Sequence, residues 1–356
     1  MTDSPGPLRV GLLGYGLAGR VFHAPLIAAC PDLVLAAVVT RDPERRATLR
    51  AVHPAAEALD APEQLWERAG SLDLVVVATP NRSHASLTRA ALQAGLPVVV
   101  DKPFATSAAE ARALIDEARA RGRRLTVFQN RRWDGDFLTL RKLISEGALG
   151  AVHRLESRFE RWNPVPRTGW RESGDPADAG GLLFDLGPHL IDQAVQLFGP
   201  VRAVYGELDS RREDAVVDDD AFVALTHASG VRSHLWMSKI AAQRAPRFRV
   251  LGDRATFVKY GLDGQEAAMA IGVGPGAAGW GEELADRWGF LGEEDTAQPV
   301  ATVPGNYPAF YAAVAAALRS DAPLPVDPAD AVTGLEIIEA ARASAVHGRV
   351  VQLPTQ

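Results

Sequence analysis

The chain has 356 residues and a formal net charge of −6 at pH 7, with 38 basic and 44 acidic side chains. This length allows two domains with full-sized cores, and the acidic balance excludes a general attraction to nucleic acid or to anionic membranes. We therefore expect a small-molecule partner. The one cysteine, Cys30, cannot form an internal disulfide, and no segment has the length of a membrane span or the pattern of a signal peptide. A cytoplasmic location is the expectation.

The first predicted elements are an apolar strand at 10–13 and a helix, joined by glycines with the spacing GxGxxG. The first glycine permits a tight turn, the second lets a pyrophosphate approach the backbone, and the third lets the helix pack closely on the strand. The N–H groups of the helix N-terminus are then free to bind phosphates. The alternative is a turn whose glycines serve packing alone. We predict dinucleotide binding by the turn residues Gly14, Tyr15, Gly16, Leu17 and Gly19.

The second predicted strand, at 33–39, is followed by Thr40 and Arg41. NAD-selective sites place an Asp or Glu at this point, where it binds the ribose 2′-hydroxyl. Arg41 can instead bind a 2′-phosphate with its guanidinium, and the Thr40 hydroxyl can add a hydrogen bond, so NADP is the predicted cofactor. Asp42 comes next, and a strand end misplaced by one residue would restore the prediction of NAD.

Strands and helices continue to alternate up to residue 128. Three buried strands are predicted, at 73–78, 97–100 and 125–128. Two helices are predicted between them, at 83–94 and 107–121. This pattern is typical of a doubly wound parallel sheet, whose ligands bind beyond the carboxyl ends of the strands. The residues that follow the strands are therefore candidates for the site: Thr79, Pro80 and Asn81, then Asp101, Lys102 and Pro103, then Gln129, Asn130 and Arg131.

Beyond residue 130 the apolar period changes to two. Strands are predicted at 152–161, 201–208, 221–227, 231–238, 248–251 and 256–260. They indicate an antiparallel sheet with one face covered by helices, which are predicted at 182–198, 308–318 and 328–346. Two glycine-rich acidic segments, 272–281 and 289–300, are predicted to be surface loops. We predict domains at 1–129 and 130–356, and expect the exposed face of the second sheet to form a homodimer or homotetramer interface.

Three residues are candidates for the chemistry. Lys102 leaves a buried strand and points toward the predicted nucleotide crevice. Asp185 and His189 are four residues apart and share one face of a helix, with Asp192 one turn further on. Pro188 suits only the first turn of a helix, which would place His189 near the positive end of the helix dipole and keep it neutral as a base. Oxidation of a secondary alcohol requires such a base, and a nearby lysine stabilises the alkoxide.

Each of these residues also has a structural alternative, a solvated loop lysine or a surface pair on a helix. Asn130, Arg131 and Trp133 could bind a polyol, although a salt bridge between domains is nearly as good an explanation. Trp162 and Trp170 could close over a sugar ring or could pack on the surface. The run at 218–220 is typical of a solvated turn, and because no His or Cys spacing supports a metal, no metal site is predicted.

Nearly the whole chain resembles the Gfo/Idh/MocA oxidoreductases. The resemblance rests on GLLGYGLAG at 11–19, TPN at 79–81 with His84, DKP at 101–103 and GGLLFDLGPHLID at 180–192. Three segments are similar to the branch of NADP-dependent scyllo-inositol 2-dehydrogenases: 14–27, 130–147 and 257–266. The resemblance implies a Rossmann domain, a C-terminal α/β domain with an open, mainly antiparallel sheet, and hydride transfer between NADP(H) and a polyol or sugar.

By the same resemblance, Lys102, Asp185 and His189 fall on the catalytic lysine, aspartate and histidine of the family. Asp101 stands where a glutamate is commoner, which leaves its cofactor contact open. The prediction is an NADP-preferring dehydrogenase or reductase of a cyclic polyol or sugar, with scyllo-inositol and its 2-keto form as the leading substrate pair. A nucleotide-sensing regulatory protein and a reductase of a non-sugar are the alternatives. The predicted cofactor contacts are Gly14, Tyr15, Gly16, Leu17, Gly19, Thr40, Arg41, Thr79, Pro80, Asn81, His84, Asp101, Lys102 and Pro103.

Overall fold

The computed structural model describes residues 6–320 and 322–354, which fold into two compact units. The first unit comprises the chain up to Asn130 together with Gln265–Trp280 and Asn306–Val332. The second unit comprises Arg131–Gly264, Gly281–Gly305 and the chain from Thr333 onward. The nucleotide-binding domain predicted at 1–129 does not include the two later segments of the first unit.

Six parallel strands form the sheet of the first unit. They are β1 (Leu8–Leu13), β2 (Leu33–Val39), β3 (Glu57–Leu59), β4 (Leu74–Val77), β5 (Val98–Val100) and β6 (Leu125–Val127). Their spatial order is β3-β2-β1-β4-β5-β6, with every neighbouring pair parallel. The order of the strands reverses between β1 and β4. A crevice for a dinucleotide is expected at the carboxyl ends of these two strands. The predicted doubly wound parallel sheet is confirmed.

Helices connect these strands. They are α1 (Ala24–Ala29), which continues a π-helical turn over Ala18–His23, then α2 (Pro43–Val52), α3 (Pro62–Trp66), α4 (His84–Gln93) and α5 (Ala108–Ala120). The predicted helices include neither α2 nor α3, and the predicted strands do not include β3. The reason is that α2 buries only Leu49 and β3 has three residues, so neither carries a clear apolar period.

Nine strands form the sheet of the second unit. They are β7 (Val152–Glu160), β8 (Val201–Asp209), β9 (Asp220–His227), β10 (Arg232–Ser238), β11 (Phe248–Gly252), β12 (Thr256–Lys259), β13 (Gly289–Gly292), β14 (Gln298–Val300) and β15 (Val351–Gln352). Their order is β14-β13-β12-β11-β7-β10-β9-β8-β15. All neighbours are antiparallel except β7 and β10, which pair in parallel. The predicted open, mainly antiparallel sheet is confirmed.

Five further α-helices lie within the described residues, 6–320 and 322–354. They are α6 (Gly135–Ser145), α7 (Leu182–Phe198), α8 (Gln265–Ala270), α9 (Pro308–Arg319) and α10 (Pro328–His347). The longest apolar one, α7, packs on β7, β9 and β10 and covers the inner face of the second sheet. None of the helices in the described parts of the chain combines the length and the apolarity that crossing a membrane requires.

Two predictions about the second half are wrong. α9 does not cover the antiparallel sheet, because its aromatic residues Phe310 and Tyr311 pack against Phe128 in the first unit. The segment 289–300 is not a loop but contains β13 and β14, which pair at one edge of the second sheet. Strands of three or four residues that contain Gly and Pro give no period-two signal, so they read as loops.

The outer face of the second sheet carries aromatic side chains. Phe222 and Trp236 are neighbours on β9 and β10, with ring centroids 5.0 Å apart, and the Arg158 guanidinium lies 4.0 Å from the centroid of Trp236. The expectation that this face is an interface between copies of the chain stays a prediction.

Candidate active site

The glycine turn after β1 has the geometry that a dinucleotide requires. Gly14 has φ +95°, and a Cβ there would lie 2.6 Å from the carbonyl oxygen of Ala78. A Cβ on Gly19 would collide with the carbonyl of Gly14, so the helix can approach the strand only with glycine at this position. Beside Gly16 the nearest atom is Nη1 of Arg45, at 3.9 Å. The backbone at Gly16 is therefore open to a pyrophosphate, and these residues fit a dinucleotide. Of the other turn residues, Tyr15 is buried and Leu17 is exposed.

The segment after β2 carries arginines and a carboxylate that is already engaged. β2 ends at Val39, and Asp42 caps α2 by accepting hydrogen bonds from the backbone of Glu44 and Arg45, both at 3.0 Å. Arg41 is exposed, and its Nε donates to the carbonyl of Asp60 at 3.0 Å. Oδ1 of Asp42 therefore belongs to the helix cap, whereas Oδ2 faces the guanidinium of Arg45.

Arg45 is a site candidate that the sequence analysis missed. It is exposed, lies in the first turn of α2, and extends its guanidinium toward Gly16. Its Nε is 3.5 Å from Oδ2 of Asp42, which holds the side chain over the glycine turn. The signal for it in the sequence is the pair of arginines at 45 and 46, one helical turn after the end of β2.

The segments after β4 and β5 are tied together by a buried histidine. Nε2 of His84 lies 2.7 Å from the carbonyl oxygen of Thr79, and its Nδ1 lies 2.8 Å from that of Pro103. The Lys102–Pro103 peptide is cis. Since both ring nitrogens of His84 face backbone carbonyls, any effect of His84 on a cofactor is exerted through these two segments. Asn81 is buried, Pro80 is exposed and Lys102 is half-buried.

In the second unit, α7 presents Asp185, His189 and Asp192. The prediction that Pro188 lies in the first turn is wrong, because the helix begins at Leu182 and Pro188 is inside it. His189 is about two turns from the positive end of the helix dipole, whose effect falls off within the first turn. The dipole therefore does not explain a neutral His189.

The helix begins early because an acidic residue caps it. Asp218 accepts a hydrogen bond from the backbone N–H of Leu183 at 2.7 Å through its carboxylate and one from Leu182 at 2.8 Å through its carbonyl. Burial raises the pKa of Asp218. Asp219 is fully buried and forms an ion pair with Arg212 at 2.8 Å. The interpretation of 218–220 as a solvated turn is therefore wrong.

The polar residues of α7 are held by arginines. Oδ1 of Asp185 accepts from Nε of Arg171 at 3.2 Å, and Asp192 accepts two hydrogen bonds from Arg132, at 2.8 and 2.5 Å. His189 is 5% exposed and packs edge-on against the ring of Phe159. The face predicted for α7 therefore carries an imidazole and two carboxylates in a partly buried environment.

The predicted substrate residues differ in exposure. Arg171 stacks on the ring of Trp170, with its guanidinium carbon 4.2 Å from the ring centroid, so Trp170 is linked to Asp185 through one arginine. Trp162 is 59% exposed and lies at an isolated bridge to Ile240. The others lie near the start of the second unit: Asn130 and Arg131 are buried and Trp133 is half-buried.

A buried ion network anchors the loop that carries Trp170. Glu172 accepts from Arg212 at 2.7 Å and from Lys239 at 2.8 Å. Burial works against ionisation of Glu172, but the hydrogen bonds from Lys239 and Arg212 outweigh it, so its pKa is lowered. The short helical turn Trp170–Glu172 is therefore fixed at its last residue by two cations.

Glu172→Gln is expected to lower the free energy of unfolding by about 1.5–3 kcal/mol at pH 7, because each charge-assisted hydrogen bond loses its anionic acceptor. The folded-state pKa lies below the unfolded-state value of about 4.3, so this stabilisation is complete above that value and is lost as pH falls through the folded-state pKa. Urea unfolding of both proteins at pH 7 and at acid pH tests this.

Glu213→Gln is the control, since Glu213 is exposed and follows Arg212 in the loop between β8 and β9. A stability difference between wild type and Glu172→Gln that stays constant with pH would contradict the assignment.

Known proteins match the chain over nearly its whole length. Residues 8–129 match the oxidoreductase family's NAD-binding Rossmann fold, and residues 141–353 match the family's C-terminal alpha/beta domain. The chain is 42% identical to the uncharacterized oxidoreductase YdgJ of Escherichia coli, over 98% of each chain. It is 35% identical to scyllo-inositol 2-dehydrogenase (NADP(+)) IolW of Bacillus subtilis, over 97% of this chain and 96% of that one.

The solved structure of YvaA from Bacillus subtilis has a TM-score of 0.93 and 34% identity, over 99% of this chain and 100% of that one. The match therefore extends to both units and to the order of the elements. On these findings the chain belongs to the Gfo/Idh/MocA family of oxidoreductases.

Proposed function

We propose that the protein is an NADP-dependent dehydrogenase that oxidises a secondary alcohol of a cyclic polyol or sugar. The observation that carries the cofactor preference is the segment after β2, where Asp42 is used as a helix cap and Arg41 and Arg45 are exposed. Two guanidiniums, beside a carboxylate that one oxygen commits to the helix cap, match the charge of a 2′-phosphate better than a 2′-hydroxyl. The similarity to the NADP-dependent IolW supports the same preference.

When bound, the nicotinamide supplies the acceptor of the hydride. In the proposed roles, His189 takes the hydroxyl proton from the substrate, Asp185 supports the charged form of the imidazole, and Lys102 stabilises the developing alkoxide. The ion pair between Asp185 and Arg171 orients this carboxylate on α7. Trp170, stacked on Arg171, offers an apolar surface for a ring of C–H groups.

A polyol is proposed because α7 and the loop before it carry both hydrogen-bond donors and hydrogen-bond acceptors, as hydroxyl groups do. A carboxylate, a guanidinium and an imidazole can each form hydrogen bonds with hydroxyl groups, whereas an extended apolar substrate offers them no hydrogen bonds. The relatives named for scyllo-inositol, D-glucosides and D-apiose act on substrates of this class. scyllo-Inositol and its 2-keto form are the leading candidates.

The experiment is a turnover screen. Purified protein is mixed with NADP or NAD and a panel of inositols, aldoses and glucosides, and with NADPH or NADH and the corresponding keto compounds. We expect turnover with at least one cyclic polyol, with kcat/KM higher for NADP than for NAD. Tight NADP binding without turnover of any member would favour the nucleotide-sensing alternative. Turnover of an imine or a tetrapyrrole alone would favour the non-sugar reductase.

A further inference from the structure

A buried histidine lies behind the segment that carries Lys102. His23 ends the π-helical turn of the first unit, and its side chain has no exposed surface. Its Nδ1 lies 2.6 Å from the hydroxyl of Tyr311, and its Nε2 lies 3.8 Å from Oδ2 of Asp101, within the range of an ion pair. Oδ1 of Asp101 accepts a hydrogen bond from the backbone N–H of Lys102 at 2.8 Å. A series of polar groups therefore connects Tyr311 on α9 to the backbone N–H of Lys102.

The local backbone explains why His23 reaches this position. The N–H of Ala24 bonds to the carbonyl of Gly19, five residues earlier, which is the pairing of a π-helix. Single π-helical turns are rare and occur frequently at functional sites. The ring of His23 packs on Phe128, with centroids 4.4 Å apart, and α9 brings the phenol of Tyr311 to its other side.

The protonation states of Tyr311 and Asp101 indicate which group donates in each of these contacts. Burial and then the charge of Asp101 raise the pKa of Tyr311 well above its usual value, so its hydroxyl stays protonated. Burial opposes ionisation of Asp101, but the neighbouring His23, and the charges of Lys102 and His84, lower its pKa overall. An ionised Asp101 favours a proton on the facing Nε2 of His23, which leaves Nδ1 to accept a hydrogen bond from the hydroxyl of Tyr311.

We propose that Tyr311, His23 and Asp101 form a positioning relay that holds an anion beside Lys102 and fixes its backbone. His23 and Tyr311 touch neither substrate nor cofactor in this scheme and act through Asp101. The Asp101 carboxylate holds the backbone N–H of Lys102 and so fixes the point from which the lysine side chain leaves the sheet. The proposal rests on the proposed catalytic role of Lys102.

The central variant is Tyr311→Phe, which removes one hydroxyl and keeps the ring. With scyllo-inositol and NADP, we expect kcat to fall about tenfold, with KM and the Kd of NADP changed less than twofold. Tyr307→Phe is the matched control, because Tyr307 is also fully buried beside α9. It removes a buried hydroxyl without touching His23, so equal losses of kcat in both variants would show a merely structural role and overturn the relay.

Two readouts separate the relay from general destabilisation. In ¹⁵N-histidine NMR, with His23 assigned through His23→Gln, the wild-type ring should be the Nε2–H tautomer, and Tyr311→Phe should mix the tautomers. In His23→Gln, the acid limb of the kcat profile should move to higher pH, because Asp101 loses the group that most lowers its pKa. A His23 ring with the proton on Nδ1, or an acid limb that does not move, would overturn the relay.

The failure of the relay is distinguishable from failure of the proposed function. An inactive Lys102→Ala with a fully active Tyr311→Phe would overturn the relay alone. A fully active Lys102→Ala would overturn the proposed role of Lys102 and, with it, the purpose of the relay.

Discussion

His189→Ala is expected to lower kcat for polyol oxidation by about 10²- to 10⁴-fold, because general-base catalysis contributes a factor of that size. Cofactor affinity should be nearly unchanged, since the glycine turn and the arginines after β2 lie in a different unit of the chain. Steady-state kinetics, with NADP binding measured by fluorescence titration, checks both parts. His227→Ala is the control, because His227 is also buried and its Nδ1 faces the carbonyl of Gly199 in the same unit.

Lys102→Ala should lose a comparable factor, since the ammonium is proposed to stabilise the oxygen from which His189 takes the proton. If both act in one transition state, the double variant should lose much less than the product of the single losses. The wild-type oxidation rate should also rise with pH through an apparent pKa that belongs to the coupled groups together. Full activity in His189→Ala, or multiplicative losses in the double variant, would refute the shared mechanism.

The second large effect concerns the cofactor. Arg41→Ala and Arg45→Ala should each weaken NADP binding by about 10- to 100-fold and leave NAD binding nearly unchanged, because a charge-assisted contact contributes about 1.5–3 kcal/mol. Arg50→Ala is the matched control, since Arg50 is exposed in the last turn of the same helix. Equal losses for the two cofactors would mean that neither arginine binds the 2′-phosphate.

The parts of the fold that could be predicted from sequence are those with continuous runs of apolar residues. β4, β5 and β6 are buried on both faces, and their valine-rich runs predict them directly. β13, β14 and β15 are two to four residues long and lie at sheet edges, where exposure removes the pattern. The end of β2 could also be predicted locally, because the apolar run stops at Val39 and the polar residues Thr40 and Arg41 follow directly.

The site was less accessible to prediction where contacts join distant residues. The start of α7 depends on Asp218, which is 35 residues from Leu183, so the proline rule alone placed His189 wrongly. The contact between His23 and Tyr311 spans 288 residues. No periodic signal in a single sequence joins two residues so far apart in the chain.

The path of the chain between the two units constrains how this protein can be divided or recombined. A fragment that ended at residue 130 would lack Phe310 and Tyr311, and would leave Phe128 and His23 without their aromatic cover. α10 belongs to the first unit up to Val332 and to the second from Thr333, so one continuous helix is shared by both. Exchange of the nucleotide-binding half between relatives would therefore require several simultaneous crossovers.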